Sequence, residues 1–172
     1  AATISTDGTL AGNADTVVPS EKAVKTYADA VQSTVQSARL ASGYSNLVIR
    51  NNAANPGYQL DINADYIEVG DYLLDGVDLT IDITASGANG LDTGTEAVST
   101  WYYAWVIYNP TTSTTAGLLS ASATAPTLPS GYTKKRLVSA VRNDGSGNFL
   151  SYLQVGAKVL YDEAEATLSV LA

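Results

Sequence analysis

Hydrophobic residues in the stretch 20–42 follow the pattern of a helix with a narrow apolar stripe. The stripe consists of Val24, Ala28, Val31, Val35 and Ala38. The gaps between these positions are 4, 3, 4 and 3, which is the spacing of a coiled-coil seam. Ser20 is suited to cap the first turn, and Gly43 is suited to the left-handed conformation that ends many helices. The pattern predicts a coiled-coil helix over residues 20–42.

The stripe contains only Val and Ala and lasts little more than two heptads. A lone helix of about twenty residues is marginal in water, and so narrow a stripe would bury little by itself. We therefore expect the stripe to pack against copies of itself around an axis, as a small oligomeric stalk. The alternative is an ordinary surface helix that packs on its own domain.

Beyond residue 43 the pattern changes to the period of two that is typical of β-strands. The clearest alternation is in Val77–Thr84, where Val77, Leu79, Ile81 and Ile83 share one side and polar residues share the other. This predicts a sheet with one buried and one solvated face. The strand predicted at Ser99–Asn109 is apolar on both sides, which indicates a central strand or one at a subunit interface.

Turn signals divide this region into eight to ten short strands. Asp75-Gly76 predicts a hairpin turn. The segment 143–147 is expected to turn the strand at Lys135–Arg142 back into residues 148–155. This spacing predicts an antiparallel β-sandwich or jelly-roll head. The chain is therefore expected to be mainly β with one N-terminal helix: a polar attachment arm (1–19), the coiled-coil helix (20–42) and the head (43–172).

Charge and composition exclude several classes of function. The net charge is -8, and no basic residue lies between Arg50 and Lys134, whereas nine acidic residues lie from Asp61 to Glu96. Nucleic-acid affinity depends on Lys and Arg, so nucleic acid is a poor partner, and so is an anionic membrane surface. No apolar run is long enough for membrane insertion. Cysteine is absent, which excludes disulfides and thiol chemistry.

Histidine is also absent, which removes the Ser-His-Asp arrangement and the usual zinc sites. The remaining catalytic candidates are carboxylates, in the groups Asp61/Asp65/Glu68 and Asp78/Asp82. A glycosidase needs two carboxylates about 5–10 Å apart. Asp78 and Asp82 would lie roughly 13 Å apart on one face of a strand. This favours a solvated sheet face and a protein that is not an enzyme and has no cofactor.

The acidic residues offer two candidate calcium sites. Residues from Asp144 to Asn148 place oxygen ligands at alternate positions, but Val155 stands where the bidentate Glu of a calcium loop would fall. This favours a hairpin turn. A site assembled across strands by the acidic stretch Asp61–Asp82 stays open.

Receptor contact is predicted in loops, because a rigid sandwich displays its loops for binding. The candidate contacts in the loops 87–96 and 111–116 are Asn89, Asp92, Thr95, Thr111, Thr112 and Thr114. A second candidate is the aromatic set Trp101, Tyr102, Tyr103, Trp105 and Tyr108. It is suited to stack on sugars, although core or intersubunit contacts are favoured. The basic cluster Lys134-Lys135-Arg136 fits either an acidic glycan or the acidic sheet of a neighbouring subunit.

Two stretches carry a resemblance to a known class of protein. The first reads GNADTVVPSEKAVKTY, from Gly12 to Tyr27, and resembles a segment that recurs in tailed-bacteriophage fibre and appendage proteins. The second, from Trp101 to Arg142, reads WYYAWVIYNPTT and ends in PTLPSGYTKKRLVSAVR. It is similar to segments of phage tail fibres and other virion fibres.

The resemblance implies a homotrimeric virion fibre protein that is assembled in the bacterial cytoplasm and then released. Its arm would bind other virion proteins, and its head would adhere to a host-surface glycan or protein. A capsid-surface head fibre, a tail-needle tip or a decoration protein is the structural alternative. A carboxylate-dependent glycan hydrolase is the enzymatic alternative.

Overall fold

The structure is a computed structural model that describes residues 3–6, 17–40 and 43–161. The chain divides into two compact units, Ala1–Gly43 and Tyr44–Ala172. Within the described residues the protein is mainly β with a single helix. The expected class is therefore confirmed at this level.

The first unit contains two short strands and the helix. Strand β1 (Thr3–Ser5) pairs in parallel with β2 (Val17–Pro19). Helix α1 (Glu21–Leu40) follows directly. The Ser20 hydroxyl accepts a hydrogen bond from the Ala23 amide at 3.1 Å, which confirms the predicted N-cap. Gly43 adopts a φ of 68°, the left-handed conformation expected there.

In its described residues, 44–161, the second unit contains ten strands in two sheets. The strands are β3 (Tyr44–Ser45), β4 (Val48–Asn51), β5 (Gln59–Val69), β6 (Tyr72–Asp82), β7 (Gly90–Leu91), β8 (Trp101–Asn109), β9 (Thr114–Ser120), β10 (Lys134–Arg142), β11 (Tyr152–Val155) and β12 (Lys158–Tyr161). In the six-stranded sheet the order is β12-β11-β4-β5-β6. Strand β3 pairs with the same side of β5 as β4 does, but with a later part of β5. The four-stranded sheet has the order β10-β8-β9-β7.

Both sheets contribute to one shared core, because alternate residues of their strands point into it. Its members include Leu60, Ile62 and Ile81 from the six-stranded sheet and Tyr102, Val106 and Leu119 from the four-stranded sheet. The predicted alternation in Val77–Thr84 is confirmed, since Val77, Ile81 and Ile83 are buried. The expected antiparallel pairing has exceptions: β7 pairs with β9 in parallel, as β1 does with β2. The loop from β6 brings residues 90–91 in along the outer edge of β9.

The prediction of a hairpin turn at Asp75-Gly76 is wrong. These residues lie inside β6, and the hairpin turns at Gly70-Asp71, since Val69 pairs with Tyr72. Gly76 has a φ of 61° within the strand. Before Gly76 an even-numbered residue of β6, Leu74, is buried, whereas after it the odd-numbered residues Val77 and Ile81 are buried. Asp75-Gly76 thus coincides with a left-handed residue inside a strand, and the chain does not reverse there.

The predicted return of residues 148–155 alongside β10 is also wrong. After an isolated bridge between Asn143 and Phe149, the chain crosses to the other sheet, where β11 pairs with β4. The Phe149 amide donates to the Gly57 carbonyl at 2.7 Å and so leads the chain across. The sequence also predicts one or two final strands, at residues 158–161 and 166–171. The first is confirmed as β12, and the second lies outside the described residues.

A second, smaller apolar cluster lies on the outer side of the four-stranded sheet. It contains Trp105, Ile107, Ala116 and Leu118, with Leu128 and Tyr132 packed against it. The connection between β9 and β10 therefore covers the outer face of this sheet around Trp105 and Ile107. Strand β8 lies between β9 and β10 and is buried on both sides over much of its length, as its composition predicts.

Candidate functional site

The described side chains of the apolar stripe of α1 are exposed to solvent. Val24 is 47% exposed and Val31 is 44% exposed, and Ala28 between them is also exposed. Val35 and Ala38 belong to the same helix, but their side chains lie outside the described residues. Three members of the predicted oligomerisation seam are thus available for contact with other molecules.

The side chains of two predicted receptor residues bind distant parts of the head. Asn89 adopts a φ of 61°, and its side-chain oxygen accepts the Gly117 amide of β9 at 2.8 Å. Its own carbonyl accepts the Asp82 amide at 2.9 Å. The carboxylate of Asp92 accepts the Ser120 hydroxyl at 2.7 Å and the Thr127 amide at 2.9 Å. Both side chains therefore hold separate parts of the head together.

The other four receptor candidates are exposed. Thr95 lies in the loop after β7, whereas Thr111, Thr112 and Thr114 lie at the turn between β8 and β9. The structure does not bring these two loops together. Asp92 binds Ser120 at one end of β9, and Thr114 begins the other end, six residues or roughly 20 Å away.

Acidic side chains of β5 and β6 form cross-strand hydrogen bonds with polar neighbours on the outer face of the six-stranded sheet. Asn63 donates to Asp78 at 2.7 Å, and Gln59 donates to Asp82 at 2.8 Å. Thr80 donates to Asp61 at 2.8 Å. Each pair occupies directly opposed positions in the register. Each of these three carboxylates therefore accepts a hydrogen bond from the residue opposite it on the neighbouring strand.

Asp82 lacks the electrostatics of a general acid. Burial raises the pKa of Asp82, but hydrogen bonds from Thr84 and Gln59 outweigh it, and the pKa lies below its ordinary value. A glycosidase acid needs a raised pKa so that it keeps its proton near neutral pH. In the same face, Asn46, Asp65, Gly76 and Asp78 line part of a shallow cleft, and Asn46 donates to Asp65 at 2.6 Å. Within the described segments, no three acidic residues form a group that could hold a metal ion.

Asp144 organises the turn that the sequence predicts between residues 143 and 148. Its carboxylate accepts the Ser146 and Asn148 amides at 2.7 and 2.9 Å. These backbone hydrogen bonds lower the pKa of Asp144 below its ordinary value, and the bond from Asn148 has the larger effect. The carboxylate oxygen that a calcium loop would direct at an ion is used inside the turn.

The basic cluster meets acidic groups of its own chain. Lys134 lies 2.6 Å from Asp71, and Arg136 donates to the Glu68 carbonyl at 3.0 Å. The hydrogen bond with Asp71 raises the pKa of Lys134, and the same bond lowers the pKa of Asp71. These contacts join the β5–β6 hairpin to β10. Lys134 and Arg136 thus contact the β5–β6 hairpin of their own chain, which is neither of the two partners proposed from the sequence.

The aromatic residues of β8 are divided between the interior and the surface. Tyr102 and Tyr108 belong to the shared core, and Trp105 to the outer cluster. Trp101 is 45% exposed, and its ring meets that of Tyr161 edge-on at 6.2 Å between centroids. The predicted core role thus holds for most of the set, while Trp101 stays accessible.

No family model, curated protein or solved structure matches this chain. No helix in the described part combines the length and the apolar character needed to cross a membrane.

The sequence patterns missed a buried polar network between the two sheets. Tyr152 hydrogen-bonds the Ser139 hydroxyl and donates to the Gln154 side chain at 2.5 Å. Gln154 in turn donates to the Val138 carbonyl at 3.1 Å, and Tyr161 donates to the Ala140 carbonyl at 3.2 Å. Burial, followed by the proximity of Tyr152, raises the pKa of Tyr161 to about 12. No local signal indicates this network, because it joins β11 and β12 to β10, which belongs to the other sheet.

Proposed function

We propose that this chain is a homotrimeric virion fibre protein whose head adheres to the surface of a bacterial host. Residues 1–19 attach it to other virion proteins, and α1 forms a three-stranded coiled-coil stalk. The two-sheet head, of sandwich or jelly-roll type, displays the binding surface. The protein is assembled in the host cytoplasm and acts outside the cell as part of the particle.

The observation that carries this proposal is the exposed stripe of α1. A helix of this length gains most of its stability from burying an apolar face, and Val24 and Val31 are exposed in the described chain. Packing against two identical helices would bury them at the spacing that a coiled coil requires. The resemblance of residues 12–27 to phage appendage segments supports the same assembly.

The head supports adhesion better than catalysis. Its paired carboxylates are satisfied by amide and hydroxyl donors, and the carboxylate pKa shifts in the described part are all downward. A rigid head repeated three times around a stalk binds a surface through several weak contacts, and multivalency multiplies their strength.

Labelling of particles tests the proposed role. Antibodies raised against residues 44–161 should mark the distal tail appendages in electron micrographs. The purified chain should also compete with particles for adsorption to susceptible bacteria. Labelling of the capsid surface without any competition would contradict the adhesive role and favour a structural fibre or decoration protein.

A further inference from the structure

We propose that the outer face of β8 and β10 binds an acidic polysaccharide. We call this surface the aromatic–basic face, and it consists of Trp101, Tyr103, Lys135, Leu137, Ala140 and Arg142. The inference rests on the proposed adhesive function and names the ligand class and the surface that would serve it. It differs from the loop contacts expected from the sequence.

The register of the two strands assembles this face. Arg142 pairs with Trp101, and Ala140 pairs with Tyr103. Tyr102 and Val106 point into the shared core, so the odd-numbered residues of β8 point outward. A bulge between Leu137 and Ser139 keeps Leu137 opposite Trp105. The strip runs from Trp101 to the Lys135 position, six residues or roughly 20 Å along β8, which suits a short oligosaccharide. At its far end Lys135 donates to the Thr124 carbonyl at 3.3 Å and lies over the Trp105 ring, so the open part of the strip is the part around Trp101 and Leu137.

Two large apolar side chains of the face are exposed to solvent and can contact a ligand. Trp101 is 45% exposed, and Leu137 is 42% exposed although it lies in the middle of β10. The β9–β10 connection covers the outer face of the sheet at Trp105 and Ile107, and Trp101, at the other end of β8, stays open. An exposed tryptophan next to an arginine is the residue combination that is enriched in binding hot spots. The flat ring of Trp101 is suited to stack on the apolar side of a sugar.

Charge identifies the kind of sugar. The chain carries a net charge of -8, yet the six residues of the face include Lys135 and Arg142 and no acid. Within the described segments, no carboxylate forms a salt bridge with Arg142, whereas Lys134 has one with Asp71. A guanidinium binds carboxylates through two parallel hydrogen bonds. A uronic acid or a similarly anionic sugar therefore matches both the ring and the cation.

The test is calorimetric titration of the full chain with defined oligosaccharides. The probes are oligomers of alginate, hyaluronan and polysialic acid, with dextran oligomers as the neutral comparison. We expect binding of at least one acidic oligomer, weakened by added salt because the partner is charged. Trp101→Ala should weaken it about tenfold, which corresponds to 1.4 kcal/mol. Arg142→Gln should weaken it and also reduce its salt dependence, whereas Arg142→Lys should retain part of the affinity.

Matched controls exist on other parts of the head. Tyr58→Ala removes an exposed aromatic ring, and Arg50→Gln removes an exposed arginine from the six-stranded sheet. Neither should change the affinity. Thermal unfolding checks that Trp101→Ala folds, and Trp101→Phe gives a second variant that keeps a ring at this position.

Three results would overturn the proposal. They are absence of binding to all three acidic oligomers, equal binding of dextran, and affinities of the Trp101 and Arg142 variants equal to those of the controls. If these variants instead lower the mass of the assembly while no acidic oligomer binds, the face is a contact between copies. A monomeric chain that still binds an acidic oligomer through Trp101 would refute the trimer and leave this inference intact.

Discussion

Gly117 of β9 packs directly against Ile81 of the other sheet, and Gly117→Ala tests that packing. A Cβ at this position would lie 2.5 Å from Cδ1 of Ile81 and closer still to Cγ1. Ile81 is fully buried, so its side chain has no solvent to move into. Overpacking of this kind costs about 1–3 kcal/mol. The gain from replacing Gly by Ala in a strand, about 0.5–1 kcal/mol, offsets only part of it.

We therefore expect Gly117→Ala to lower the free energy of unfolding by about 1–2 kcal/mol, measured by urea denaturation with tryptophan fluorescence. Gly145→Ala is the matched control, because its Cβ would have Ser99 Oγ at 3.9 Å as the nearest atom. Ile81→Val in the Gly117→Ala chain removes Cδ1 and should recover part of the loss, as a coupled pair does. If Gly117→Ala is as stable as the Gly145 control, the close approach of the sheets is incorrect.

Three further predictions concern buried polar groups. Tyr152→Phe leaves the Gln154 side chain without one partner and should cost about 1–3 kcal/mol in urea unfolding; an unchanged midpoint would refute the network. Asn143→Ala removes the acceptor of the Thr100 amide and a donor to the Ala97 carbonyl, and the same measurement should show a loss of about 1–3 kcal/mol, whereas a loss below experimental error would contradict these bonds. The pKa of Tyr161 is raised from 10.0 to about 12, so the folded chain holds this proton more tightly than the unfolded chain. Stability should therefore fall as pH rises from about 10 towards 12, and the fall should be smaller in Tyr161→Phe; identical pH profiles would refute the shift.

Features that depend on neighbouring residues could be predicted from the sequence. The cap at Ser20 and the helix after it depend on a few adjacent residues, and the structure has both. The buried side of β6 follows from alternation alone, since Val77 and Ile81 face the core in any sheet that is solvated on one side. The turn at Asp144 depends on a carboxylate and amides that lie within four residues of it.

Features that depend on distant partners could not be predicted in this way. Asp75-Gly76 has the composition of a turn, but its place inside β6 depends on pairing with β5 over the whole hairpin. The pairing of β11 with β4 joins residues about a hundred positions apart, and local turn signals favour the nearer strand.

The candidate site shows the same division. Asn89 is a polar residue in a Gly-rich loop, which suggests an exposed contact, but its side chain binds the Gly117 amide of β9. Alternation places Trp101 on one side of β8, yet it does not say that the β9–β10 connection covers Trp105 and leaves Trp101 open. The accessible surface depends on how that connection packs.

Sedimentation equilibrium of the full chain tests the trimer most directly. The proposal predicts a mass about three times the 17.9 kDa of one chain, and Val31→Asp should reduce it to a single chain. Ser33→Asp is the matched control, because it adds the same charge to the exposed surface of α1 on the side away from the stripe, and it should leave the trimer intact. A monodisperse monomer of the unmodified chain at micromolar concentration would contradict the coiled-coil stalk.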